Sequence, residues 1–459
     1  MSDQIAITRT VTVAAGTYAP GHLGELTQLI PFEMVDEVLT ATGRVQQRVR
    51  LLPARVVVYL ILAGCLFAEL GYVQVWQQLT AGLAGLALSE PASSALCQAR
   101  QRLGPAPLRA LFALLRGPAA TTARQTVRWR DLLLTAIDGT LLTIPDAPPV
   151  RVRYRKQRGN HGGSGYPSLR LSALLTCGTR SIIDAVFDPI TTGELDQARA
   201  LAHNLRAGML LLADRNYAAA TLVETLAATG AHLLIRCKNG RRLPVLTRYH
   251  DGSWLSTIGT LRVRVIDAQI TVRTSDGTHT SGYRLITTLL DPQRYPAGEL
   301  ITLYHQRWEV ETAYLELKSS ILGGRVLRAR TPNGIDQEIH ALLIVYQLLR
   351  TAMADATDSQ PGTNPDRASV TTALNTARNQ IIQAAGVIAD TTIDLVGAIG
   401  RAVLAHLLSE RRIRVKTRMI KRSNSKYQAR GPNIDRHSYK ATIGINIITN
   451  PCQPPTRPN

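Results

Sequence analysis

The feature that most constrains this chain is a pair of short apolar runs that end alike. Residues 129–137 stop at Asp138-Gly139-Thr140, and Met209–Ala213 stops at Asp214-Arg215-Asn216-Tyr217. Both are too short and too evenly apolar for an amphipathic helix, and they read as strands. Between them, residues 170–177 and 181–186 form a predicted hairpin turning at Gly178-Thr179, followed by a helix over 194–205. Beyond Asp214 come a predicted helix over 218–228 and a strand over His232–Cys237. This order predicts an α/β core, a mixed sheet flanked by helices, with both aspartates at carboxyl ends of strands, where such sheets place their sites. A strand-end Asp is by itself most often a turn residue. Asp184, Asp188 and Glu194 are rivals, but each has a local explanation. Asp184 is mid-strand, Asp188 precedes Pro189, and Glu194 opens a helix, where an acidic group suits the dipole.

A third carboxylate comes from residues 304–318, YHQRWEVETAYLELK. Good helix formers without Gly or Pro predict one continuous helix. At about 100° per residue, Tyr304, Arg307, Glu311 and Lys318 share an arc of roughly 60°. Leu303, Val310, Leu317 and Ile321 form an apolar stripe beside that arc. Glu309 and Glu316 point elsewhere, which singles out Glu311 and makes the other two expected bystanders. The polar face could present a metal ligand beside three phosphate-directed groups, but for an arbitrary helix a solvated face with an Arg307–Glu311 surface pair is much the commoner reading.

The spacing Y-x2-R-x3-E-x6-K, with two upstream strand-end aspartates, resembles the signature of a branch of the DDE transposases of bacterial insertion sequences. The run from Leu29 to Leu83, with IPFEMVDEVL, TGR, LPARVVVYLILA and LTAGL, is similar to the N-terminal domain with which these enzymes hold the transposon end. The resemblance implies a ribonuclease-H-like fold, a β-rich insertion between the second catalytic strand and the signature helix, and an all-helical N-terminal domain. It implies Asp138, Asp214 and Glu311 as catalytic residues and ligands of two Mg²⁺ ions, for which Mn²⁺ can substitute; hard carboxylate oxygens suit that pair. Tyr304, Arg307 and Lys318 would orient the substrate phosphate, and Trp254 would stack on a displaced base. The implied reaction is cut-and-paste excision and strand transfer, through a hairpin at the transposon end in many members, by a homodimer on paired terminal inverted repeats with target DNA as the second partner. A catalytically inactive DNA-binding derivative and another metal-dependent nuclease on the same core are the alternatives. Asn216 departs from the commoner Asp-Arg-Gly-Phe/Tyr pattern, and C-terminal dimer contacts are not recognisable.

Composition agrees. The net charge of +20, from 53 Lys+Arg against 33 Asp+Glu, points to a polyanionic partner. The longest apolar run, residues 56–68, is too short to span a membrane, and the N-terminus has no export signal, so a cytoplasmic, nucleoid-associated protein is expected. Five cysteines without a CxxC pair read as reduced thiols. The expected organisation is an arm (1–22), a helical DNA-binding domain (23–125), a catalytic domain (126–354) with its insertion at about 238–290, a linker (355–368), and a helical C-terminal region (369–459). The last contains the densest basic run, 411–430, expected to track DNA.

Overall fold

The computed structural model describes residues 21–448 apart from 47, 49, 84–86, 120–126, 157, 160, 161, 164, 276, 385–396, 410–413 and 417–437. Most of the basic run 411–430 therefore lies outside the described residues. Five helices come first: α1 Phe32–Ala41, α2 Ala54–Leu66, α3 Tyr72–Thr80, α4 Ser93–Leu103 and α5 Ala106–Leu115. Pro53 precedes the first turn of α2, whose every residue from Val56 to Leu66 is buried.

The core strands are β1 Leu132–Thr143, β2 Ser168–Thr176, β3 Ile182–Pro189, β4 Met209–Ala213 and β5 His232–Cys237. A short helix, α6 Pro148–Arg153, lies between β1 and β2. Helices α7 Glu194–Leu201 and α8 Ala220–Ala227 make the crossovers on either side of β4. The order is β3-β2-β1-β4-β5, with the first three antiparallel and β1, β4 and β5 parallel. That is the ribonuclease-H-like arrangement.

Three further strands, β6 Trp254–Ile258, β7 Leu261–Thr274 and β8 Gly277–Thr287, make up most of the expected insertion. They are not a separate module. β8 pairs antiparallel with β5, from Thr287 opposite Leu234 to Arg284 opposite Cys237, and the sheet continues through β7 and β6. A C-terminal strand, β9 Thr442–Ile447, adds to β7. The C-terminal region was expected to be helical, so this strand was not anticipated.

Side-chain alternation divides the sheet between two cores. Leu133, Ile137, Leu211, Ala213, Leu233 and Ile235 face α7 and α8. Leu134, Ala136, Leu210, Leu212 and Leu234 face the signature segment and α11 Pro332–Asp358. Helix α11, 27 residues and about 40 Å long, is buried almost throughout. It runs on into the linker expected at 355–368 and takes up its first four residues, to Asp358. Helices α12 Val370–Ile382 and α13 Gly397–Ala405 share one core with α11 and the N-terminal helices, so the two ends of the chain pack as one body against the sheet.

Candidate active site

Asp138 does not close its strand as expected: β1 runs on to Thr143 against β2. What ends beside Asp138 is the pairing with β4. The last parallel pair is Ile137 with Ala213, so Asp138 and Asp214 are the next residues on neighbouring strands. Alternation turns both toward the face covered by the signature segment.

That segment is not one helix. It is α9 Ala297–Tyr304, a 3₁₀ turn His305–Arg307, α10 Trp308–Leu315 and a π turn Glu316–Ile321. Leu303, Val310, Leu317 and Ile321 are buried, as the apolar stripe predicted. Arg307 and Glu311, four apart, face each other: Arg307 Nη2 donates to Glu311 Oε1 at 2.9 Å, and Nη1 lies 3.7 Å from Asp138 Oδ2. The guanidinium thus stands between two of the three carboxylates. Burial works against its charge, but Tyr304, Glu311 and Asp214 outweigh burial and hold it protonated. The π turn, a device common at functional sites, brings Lys318 Nζ to donate to Thr140 Oγ1 at 3.2 Å.

Asp138 is pushed up to about 6, chiefly by burial; the Gly139 amide, donating to Oδ1 at 2.8 Å, and Arg307 oppose this, while Glu194 and Glu311 add to it. Glu194 is a residue that sequence reasoning set aside. Its carboxylate reaches the site from the α7 side, past Gly139. A Cβ at position 139 would stand 2.8 Å from Glu194 Oε1, so glycine is what admits it. A cleft of about 840 Å³ opens beside Asp214, lined by Glu194, Arg215, Asn216, Lys238 and Arg241 among others.

Two family models match the chain: one described as the insertion element 4 transposase N-terminal domain, over residues 20–113, and one described as the transposase DDE domain, over residues 129–348. The chain belongs to the insertion element 4 DDE transposases. The transposase InsG for insertion sequence element IS4 of Escherichia coli K12 is 25% identical over 406 residues, covering 86% of this chain and 91% of that one. The putative transposase InsZ of the same strain is 28% identical over 204 residues, covering 44% of this chain and 67% of its own. Among solved structures, a piggyBac transposase synaptic complex with hairpin DNA aligns with 84% of this chain and 85% of that one, at 10% identity and a TM-score of 0.43.

DDE domains of this kind use divalent metal ions. The donor set in this transposase fits them: carboxylate oxygens, two of them brought side by side by strand register, with a buried cation already drawn between Asp138 and Glu311. Among the described residues no three ligand groups converge closely enough to enclose an ion as they stand. Glu311, 40% exposed, is turned to Arg307.

Two of the transposase's expected substrate-binding residues are placed otherwise. Tyr304 is 2% exposed, and its hydroxyl donates to Ala213 O at 2.9 Å, so it pins the signature segment to the residue before Asp214. Trp254 is also 2% exposed, sealed within the extended sheet beneath Arg284, and offers no face to a base. Tyr314, which no spacing rule flagged, does for Asp138 what Tyr304 does for Asp214. Its hydroxyl donates to Asp138 O at 2.6 Å and accepts from Ala173 N–H at 2.9 Å, bridging β1 and β2. Glu309 and Glu316 do point away from the site, but into a buried network. Arg180 Nε and Nη1 donate to them at 2.5 and 2.6 Å, Arg180 also meets Asp366, and Tyr346 donates to Glu316 at 2.9 Å. No helix of the transposase, among the described residues, is long and apolar enough to cross a membrane.

Proposed function

We propose that this transposase excises and joins DNA by a cut-and-paste route, with Asp138, Asp214 and Glu311 as the residues that hold two divalent cations, Mg²⁺ or in its place Mn²⁺. The observation that supports this best is the β1–β4 register, which sets Asp138 beside Asp214 under the segment bearing Glu311. Such ions supply activation of a water or 3′-hydroxyl and neutralise charge on the leaving oxygen of an in-line displacement at phosphorus. The chain's own residues do the rest. Tyr304 and Tyr314 hold the aspartate-bearing strands against the signature segment. Arg307 spends Nη2 on Glu311; once Glu311 takes up a ligand role, that donor is released and the guanidinium can bind a phosphate through two N–H donors. Lys318 adds a point charge beside Thr140, and Arg215, Lys238 and Arg241 along the cleft offer the DNA backbone a cationic path. Trp254 packs the sheet and is left out of this reading.

The substrate is the element's own terminal inverted repeats, nicked to free a 3′-hydroxyl. That hydroxyl attacks the opposite strand, one phosphodiester replacing another, to give a hairpin end. Hydrolysis reopens the hairpin, and the 3′-hydroxyl then attacks target DNA. The chain acts as a homodimer on paired ends. The test is a gel assay on DNA carrying the element's ends. Asp138→Asn, Asp214→Asn and Glu311→Gln should each bind the ends and fail to nick them. A folded variant that nicks at the wild-type rate removes its residue from the site.

A further inference from the structure

The cluster around Asp138 contains one carboxylate more than the triad needs. Glu194 is the first residue of α7, but it caps nothing: the N-cap is Gly193, and no side chain closes that helix end. Its carboxylate instead passes Gly139, on the opposite side of β1 from the signature segment, and comes into the electrostatic reach of Asp138. There it is poorly neutralised. Besides the Tyr217 hydroxyl, its polar partners are distant, Asn216 Nδ2 at 3.5 Å and Arg170 Nη1 at 3.8 Å. Its side chain is only 20% exposed, so water does not make up the difference. Beside it lies Tyr217, 1% exposed, whose hydroxyl is turned to Glu194 without completing a well-formed hydrogen bond and feels the charges of Glu194 and Asp138. A largely buried anion with long contacts, next to a second carboxylate and a buried hydroxyl that it satisfies only poorly, is an incomplete coordination shell. A merely structural Glu would have a short bond to Arg170 or a cap to make, as Glu309 and Glu316 have to Arg180.

We propose that Glu194 is a fourth carboxylate of the site, sharing a divalent cation with Asp138 directly or through a water held by Tyr217 and Asn216. The proposal rests on Asp138 being a metal ligand, and the test separates the two claims. Full-length protein is titrated with Mn²⁺ in a calorimeter without DNA: wild type, Asp138→Asn, Glu194→Gln, Glu194→Asp and, as control, Asp196→Asn on the exposed side of the same helix. Glu194→Gln is expected to weaken Mn²⁺ binding about tenfold or more, Glu194→Asp less, and Asp196→Asn not at all. Gly139→Ala, whose methyl would occupy the space of the Glu194 carboxylate, should weaken it comparably, and the double variant with Glu194→Gln should lose no more than either alone. If Asp138→Asn binds Mn²⁺ like wild type, the parent reading of the site fails. If Asp138→Asn loses affinity while Glu194→Gln and Glu194→Asp keep both affinity and stoichiometry, the fourth carboxylate is refuted and the triad stands. Should Glu194→Gln fail to fold, Glu194→Asp decides: wild-type affinity in it overturns the proposal, and a several-fold loss in a protein melting like wild type supports it.

Discussion

Removing one oxygen from Tyr314 tests how the site is held together. The hydroxyl bridges Ala173 N–H and Asp138 C=O, both of which are otherwise enclosed between β2 and the signature segment. In Tyr314→Phe those two backbone groups lose their common partner. At about 1–3 kcal/mol for each buried group left unsatisfied, the loss is about 2–6 kcal/mol if nothing moves. The strands can recover part of it by closing on each other, which would leave about 1–2 kcal/mol but would draw Asp138 toward Ala173 and away from Arg307, now 3.7 Å off. The cost therefore appears in one of two places. Urea melts of the metal-free protein report the first, and Mn²⁺ titration with end-cleavage assays the second. Tyr304→Phe is the comparison: only Ala213 O loses a donor, for about 1 kcal/mol. Tyr314→Phe that melted within about 0.5 kcal/mol of wild type and also cleaved normally would refute the bridge as the support of Asp138.

Glu309→Ala and Glu316→Ala, bystanders by their spacing, should each cost about 3–5 kcal/mol in a urea melt, because Arg180 at 1% exposure is left underpaired; losses under about 1 kcal/mol would mean the network is idle. For metal-free Asp138→Asn the sign follows from the raised carboxyl. Proton uptake stabilises the folded wild type fully below pH 3.8, and that contribution is lost as pH rises to about 6, so the variant should gain on wild type by up to about 3 kcal/mol, levelling above pH 6; a flat difference across pH 4–7 would contradict this. Trp254→Ala should lower stability by about 3–5 kcal/mol and slow all DNA steps alike, whereas a defect confined to hairpin formation in a protein of normal stability would restore the stacking role. Neutralising the Lys and Arg residues of 411–430 to Gln should flatten the salt dependence of DNA binding by about 0.9 in the log–log slope per lost phosphate contact, and an unchanged slope would detach the run from DNA. Substitution is preferable to truncation because Thr442–Ile447 is a strand of the central sheet.

The fold was legible wherever periodicity alone decides it. His232–Cys237 and Met209–Ala213 are strands with the predicted ends, and the hairpin turns at Gly178 with φ of +88°. Periodicity does not say which edge a strand joins. The β-rich stretch after Lys238 could be recognised as strands, but only the pairing of Leu234 with Thr287 shows that it prolongs the catalytic sheet. Nor does it say when a helix changes pitch. A wheel at 100° per residue keeps Arg307 and Glu311 together because the residues between them form an α turn, and Tyr304 and Lys318 also reach the site side, but across a 3₁₀ turn and a π turn that the wheel does not foresee.

The candidate site divides along the same line. Asp138, Asp214 and Glu311 could be nominated because each requirement is local: a strand that stops or loses a neighbour, or a carboxylate on one face of a helix. Tyr314 and Glu194 act across more than fifty residues of sequence or between layers of the fold, and a phenol that bonds a backbone carbonyl has no spacing of its own. For Glu194 there was nevertheless a signal one residue from Asp138. A glycine inside a strand packs nothing and weakens it, so its presence in Asp138-Gly139-Thr140, in mid-ladder opposite Ser172, asks what must come close there. Read as a turn, that glycine explained the end of a strand that does not end. In the ladder, its missing side chain is the space through which a carboxylate from α7 reaches Asp138, and Glu194 ceases to be a helix-opening residue with no further duty.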